Sequence, residues 1–432
     1  MKNTCLQKCA ALLAVLLLLP ALLSGCQSAE DQNYTVPDTE SAETVTLKFF
    51  GNKNEALNVM VIENILKAYM EENPGINITY ESVKGTDYFD VLKKRVKSGN
   101  GDDIFMVNHD TTLAFIKTGE LADLSGLSTL SDFSPSVRSQ MEIDGAVPFV
   151  PTSISAFGLY CNLDLLKAYN VAVPETYEEF LAACDTFVEK DKIPIVANND
   201  ISLKTLAISR GMFDVYQDEN ADKLLEQMNA DPSLLAQYMR PGFEMVELFI
   251  DRGYVDAGRA LETEKTKDDL DDFVTGQYPF MLTGAWASPR VEAMNPDFSY
   301  KVYPYPVQAD GSVLVTNVDT RVAVNARGAH VDEARKFLEY LTQKDVMWEF
   351  VDGQSSFSPL NDKRLPSDPA VQPLSASMTS GRSVLGTDSN LKYPIWDLSR
   401  ESVRQLLKGQ KTDTVLSDFE EGLRKSQEGG SE

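Results

Sequence analysis

From Val45 onward the chain alternates short apolar runs with longer stretches in which apolar residues recur every three or four positions. VTLKFF, ending at Gly51, reads as a strand. Leu57, Val61, Ile65 and Tyr69 fall four apart and predict an amphipathic helix over 55–72, stopped by Asn73-Pro74-Gly75. Ile76, Ile78 and Tyr80 alternate as a second strand. Phe89, Leu92 and Val96 mark another helical face, and Gly99-Asn100-Gly101 leads into the apolar strand Ile104–Val107. Strand, helix, strand, helix, strand at this spacing predicts a parallel βαβαβ unit. Ligands in such sheets bind beyond the carboxyl ends of the strands. Those ends are Gly51–Asn54 and Asn108–Asp110.

A second region begins near Pro151. SAFGLYCN reads as a strand, 163–169 as a helix, and Pro174 as the opening of the helix PETYEEFLAACDTFVEK. IPIVAN is a further strand whose end is the polar run Asn198-Asn199-Asp200. Helices are expected over 202–210, 232–253 and 265–274, then the strand PFMLTG and a helix start at Ala287-Ser288-Pro289. RVAVNA is a strand, VDEARKFLEYLT an amphipathic helix, and the segments SRESVRQLLKG and TVLSDFEEGLRK are helical. Trp348 fits the apolar face of a helix and reads as core. The pattern is α/β throughout.

The first 44 residues follow different rules. Lys2 and Lys8 precede an apolar run from Ala10 to Leu19, too short for the roughly 20 residues of a membrane span and suited to a secretory signal. The following Leu23-Ser24-Gly25-Cys26 resembles a bacterial lipobox, which implies cleavage after residue 25 and a lipid on Cys26. Residues 26–44 are polar and acidic, a disordered tether able to span on the order of 25 Å.

Charge and rare residues narrow the chemistry. With 40 basic against 65 acidic residues the formal net charge is −25, which argues against nucleic acid and anionic membrane surfaces as partners. The only histidines are His109 and His330, and the chain has no Gly-x-Ser-x-Gly, His-Glu-x-x-His, Cys-x-x-Cys, P-loop or Gly-x-Gly-x-x-Gly motif. No cofactor and no metal site is expected. Beyond Cys26 only Cys161 and Cys184 remain, each in an apolar run of its own element, and two buried thiols are preferred to a disulfide. A 43% hydrophobic chain of this length has material for two or more domains.

Four segments occur in one order: GDDIFMVNHD, FGLYCNLDLLKAYNVAVPETYEEF, FVTGQYPFMLTGAWASPRV and RVAVNARGAHVDEARKFLEYLTQKDVMWEFV. Together they resemble the carbohydrate-type extracellular solute-binding proteins of ABC importers, the maltose-binding group. The resemblance implies a two-lobed periplasmic-binding-protein-like fold with discontinuous lobes joined by a hinge. Residues 45–150 and 318–357 would form lobe 1, and 153–315 and 360–428 lobe 2. It further implies a non-enzymatic, membrane-anchored protein that passes a small polar ligand, a sugar or oligosaccharide, to permease subunits.

A sugar site needs flat aromatic faces against the C–H faces of the ring and polar groups for its hydroxyls. Trp286 follows Thr283-Gly284-Ala285 at a strand end, matching an aromatic of the family's GxW element. Trp396 falls where maltose-type proteins carry a stacking aromatic, with Arg400 in register. His109 and Asp110 match a His-Asp pair after the third strand, and Asn199 and Asp200 occupy the analogous place in the second lobe. Ser155 stands where maltose-type proteins have a glutamate, which puts maltose itself in doubt. Asn52 and Asn54 flank the first strand end. The competing classes are a secreted lipoprotein glycosidase using a carboxylate pair, and a surface adhesin.

Overall fold

The computed structural model describes residues 44–428 apart from Thr86 and Lys363. The signal segment, Cys26 and all but the last residue of the tether lie outside the described residues.

Strands β1 (Val45–Gly51), β2 (Ile76–Ser82) and β3 (Ile104–Val107) are parallel, with β1 between the other two. Two long strands then join this sheet to a second group. β4 (Val150–Asn162) and β9 (Gly311–Val324) run antiparallel side by side, from Val150 opposite Val322 to Phe157 opposite Val315. Beyond them lie β6 (Phe280–Gly284) on β4 and β5 (Ile195–Val196) on β6, giving the order β2-β1-β3-β9-β4-β6-β5. β7 (Tyr300–Tyr303) also pairs with β4, and β8 (Tyr305–Gln308) and β10 (Ser383–Leu385) pair with β9. The result is a two-lobed α/β protein, one lobe built on β1–β3 and the other on the far halves of β4 and β9.

A third segment makes the crossing. Ile154 and Phe357 exchange backbone hydrogen bonds of 2.8 and 3.0 Å, so the chain near Phe357 lies against β4 on the side opposite β9. Short hydroxyl side chains fill this waist. Thr152 Oγ1 donates to the Thr320 carbonyl at 2.9 Å, and Ser153 Oγ to Thr320 Oγ1 at 3.1 Å. Two of the three crossings carry a non-glycine residue in left-handed backbone: Thr320 at φ 45° and Ser355 at φ 44°. For a β-branched threonine this conformation is strained.

The apolar core follows the period of two along β4. Phe157, Leu159 and Cys161 enter one cluster, while Ala156 and Tyr160 enter the other. The cluster that holds Leu47, Phe49 and Ile104 therefore continues through the waist onto one face of the second lobe's sheet, reaching Met281 and Val302. In the second lobe the clusters divide by sheet face, whereas both faces of β1–β3 belong to the first cluster.

Several local expectations are corrected. Leu57 is 59% exposed; the helix Ala56–Glu72 buries Val59, Ile62, Ile65, Leu66 and Tyr69. A strict four-residue spacing overshoots a 3.6-residue turn, so a stripe drawn through Leu57 rotates off the buried face. The helix after Pro174 starts at Tyr177, because Thr176 and Glu179 form a capping box. IPIVAN contributes only Ile195–Val196 to the sheet, and RVAVNA is the end of a strand that begins at Gly311. Trp348 is half-buried, not core, with the Arg364 guanidinium 4.9 Å from its ring centroid. Cys161 and Cys184 are free and buried. Among the described residues no helix is long and apolar enough to cross a membrane.

Candidate functional site

The site forms where the end of β3 and the end of β6 look toward the helix Ile395–Leu407. β6 closes on Gly284, and one tight turn, Ala285–Ala287, brings the Trp286 ring back across that glycine. A Cβ on Gly284 would stand 2.2 Å from the ring carbons, so only glycine admits this placement. Phe157 of β4 meets Trp286 edge-on at 5.1 Å between centroids and Trp396 at 5.4 Å, making a row of three rings. Trp396 sits in the first turn of its helix, close over Gly386, where a Cβ would come within 2.8 Å of the ring.

One face of Trp396 is covered by Lys204, whose Nζ lies 3.8 Å from the centroid. The Lys204 side chain is fully buried and bonds Asp200 at 2.9 Å, one helical turn away. Asp200 also binds Lys265 and stands 4.0 Å from Arg400. Burial raises the Asp200 pKa, but Lys204 and Lys265 outweigh it and hold the carboxyl below the usual range. Burial lowers Lys204 to about 8, against the opposing pull of Asp200. Asp200 thus positions a lysine beneath the indole rather than projecting into open space.

On the other side, Asn108 caps the helix His109–Thr118 by accepting from the Thr111 N–H at 2.8 Å, which fixes His109 and Asp110 in its first turn. Burial, with Asp397 as a like-charged neighbour, pushes Asp110 up to about 7. His109 is 4% exposed and lies against the backbone of Leu391 and Tyr393; burial and nearby Arg321 lower it to about 3. Ser155, at the waist, donates to Asp319 Oδ2 at 2.7 Å and is paired in register with Asn317, which in turn accepts from Thr387 N–H at 2.9 Å.

Of the residues singled out from sequence, Trp286, Trp396 and Asp200 are linked by these contacts, and Asp110 has Asp397 as a like-charged neighbour. Asn199 is not: its amide leans on the Leu261 carbonyl at 3.5 Å. Asn52 and Asn54 stand at the end of β1, where Asn52 Oδ1 is buried without a partner and Asn54 is buried. Sequence reading missed Lys204, Arg321 and Asp397. Asp397 had a signal, its adjacency to Trp396; Lys204 had the spacing of four from Asp200.

Further contacts bridge the lobes. Gln140 donates to Asp388 at 3.0 Å and accepts from Ser389 N–H at 2.7 Å; within the second lobe Tyr216 also donates to Asp388, at 2.8 Å. Two hollows lie away from these residues: one of about 30 Å³ by Ile193 and Tyr278, and a surface groove of about 470 Å³ by Asn170 and Glu179. Among the described residues no cluster of three metal-ligating side chains exists.

The body is two-lobed α/β with three crossings, and aromatic and charged side chains gather at its strand ends. Residues 55–348 match the model of the bacterial extracellular solute-binding proteins, and the chain belongs to that family, which places it outside the cytoplasm. It is 24% identical over 387 residues to a multiple sugar-binding protein of Streptococcus mutans, covering 84% of this chain and 85% of the relative. Its fold is similar to apo RafE from Streptococcus pneumoniae (TM-score 0.68, 20% identity, 90% of this chain and 99% of that one). It is also similar to a Bacillus licheniformis sugar transporter in complex with stachyose (TM-score 0.66, 20% identity, 88% and 100%).

Proposed function

We propose that this chain captures a sugar or oligosaccharide between its lobes and delivers it to the permease of an ABC importer, anchored by a lipid on Cys26. The observation that carries the reading is the row Trp286–Phe157–Trp396 beside Asp110 and Asp397. Indole faces cover the C–H faces of a pyranose, while the carboxyl groups take its hydroxyls. The relative and the solved neighbour named for sugars point the same way. The lobes of this reading are residues 45–150 with 318–357, and 153–315 with 360–428. On this reading the ligand leaves unchanged, as it does in a family of solute-binding proteins.

Thermal shift against raffinose, stachyose and maltotriose tests the reading. A ligand at a thousandfold excess over Kd adds about 4 kcal/mol to the folded state. No shift with any saccharide, or cleavage of the sugar during incubation, would overturn it.

A further inference from the structure

Among the described residues Lys204 is the only buried lysine, and no part of its side chain is exposed. It stands in the first turn of the helix Ser202–Gln217, at the positive end of the helix dipole. Neither burial nor that end of a helix favours a cation, so helix stability does not explain the choice of lysine. Two contacts do. Nζ bonds Asp200 Oδ1 at 2.9 Å and lies 3.8 Å from the centroid of the Trp396 ring. The second Asp200 oxygen accepts from Lys265, so the carboxylate that anchors Lys204 is itself held from the other side. A cation over an indole is most strongly attracted when both are out of water. Trp396 keeps part of its surface exposed, whereas Lys204 keeps none. The ring face against the ammonium is therefore closed to any ligand.

We infer that Lys204 is a positioning residue of the sugar site: anchored on Asp200, it holds the Trp396 indole by one face and leaves a ligand only the side away from it. This rests on the sugar reading above and deepens it. Lys204 touches no ligand and acts through the ring alone. A stacking ring serves a saccharide best when its plane is set beforehand, because a loose ring must give up rotamer freedom on binding. An apolar side chain in this place would fill the space without directing the indole, since only a cation is drawn to the centre of the π face.

Titration calorimetry with raffinose, stachyose and maltotriose, together with fluorine NMR of the fluorotryptophan-labelled protein, tests this. The chain's three tryptophans give three resonances, assigned by replacing each with phenylalanine. At least one saccharide should bind the parent and shift the Trp396 line. Lys204→Met should weaken that saccharide by at least about tenfold, the scale of a desolvated cation–π contact. It should also broaden or split the ligand-free Trp396 line while the Trp348 line stays in place. Lys204→Arg can still stack on the indole and pair with Asp200, so it should remain within about threefold of the parent. In a Trp396→Leu background Lys204→Met should change affinity by less than about twofold, since its partner ring is gone. Equal losses in both backgrounds would make Lys204 a support of the fold and overturn the inference. So would a parent-like affinity or Trp396 line in Lys204→Met, or a loss in Lys204→Arg as large as that in Lys204→Met. None of these results touches the sugar reading. A parent that binds none of the three saccharides sinks that reading, and this inference with it, before any variant is made.

Discussion

Glu55 and Arg290 form an ion pair, Oε1 to Nη2 at 2.5 Å, that joins the two lobes. Glu55 stands after β1 at the entry to the helix Ala56–Glu72, and Arg290 follows β6 in the helix Ser288–Ala293. With Gln140 on Asp388, this pair describes lobes in contact. Both partners are part-exposed, so the pair is worth only about 0.2–1 kcal/mol. Glu55→Gln should therefore accelerate ligand release by about twofold to fivefold and leave the association rate nearly unchanged in stopped-flow measurements. A loss confined to association would contradict a latch.

Trp286 is half-buried and touches Phe157 by an edge. Trp286→Ala should cost about 2 kcal/mol or more of binding, the scale of an interface anchor, with little change in ligand-free melting. Intact affinity with a large drop in melting temperature would make it a core residue instead.

The Asp110 carboxyl has a folded pKa of about 7 against an ordinary 3.8. A raised acid binds more protons in the closed protein than in the opened or unfolded one. Its stabilising contribution is full below about pH 4 and is lost as pH rises to about 7. Asp397→Asn removes the opposing carboxylate, so the variant should gain on the parent in melting temperature as pH climbs from 4.5 to 8. Parallel pH profiles would dissociate Asp110 from Asp397. Asp200, held low by its lysines, contributes stability that is lost only at more acid pH, below this window.

Thr320 holds left-handed backbone at the waist and gives one hydroxyl contact to Ser153. Thr320→Gly relieves a strain of about 1–3 kcal/mol while losing about 1 kcal/mol of hydrogen bonding. Thr320→Ala loses the bond and keeps the strain. Urea unfolding should rank glycine above alanine at this position; the reverse order would mean that the backbone is not strained here.

If Cys26 carries the lipid, Cys26→Ala should move the protein from the membrane fraction to the soluble one, as followed by fractionation and immunoblot. Unchanged partitioning would remove the anchor from the proposal.

The β1–β3 unit was readable because its signals are local: one-sided helices, apolar strands and turn residues at their joints. β9 was half missed because Thr316-Asn317-Val318-Asp319-Thr320 is polar, yet it crosses a buried waist where hydroxyls and carboxylates satisfy one another. The aromatic half of the site was visible through Gly284 and Trp286. Its charged half was not: Lys204 in SLKTLAIS looks like a solvated position and is fully buried only because Asp200 and the Trp396 face receive it. Arg321 at the head of RVAVNA gave no sign that Nη1 and Nη2 would be buried without a partner.

Three chain segments lie abreast at the waist, in the order β9, β4 and the segment at Phe357. A single connection would act as a swivel, and two would still allow twist. Three hydrogen-bonded ribbons resist torsion and side-slip together, leaving one soft bending axis across them. The lobes then have one mechanical degree of freedom, and each position along it fixes the relative placement of every surface feature on both. A partner that touched both lobes at once would read a scalar, the opening angle, and not an orientation.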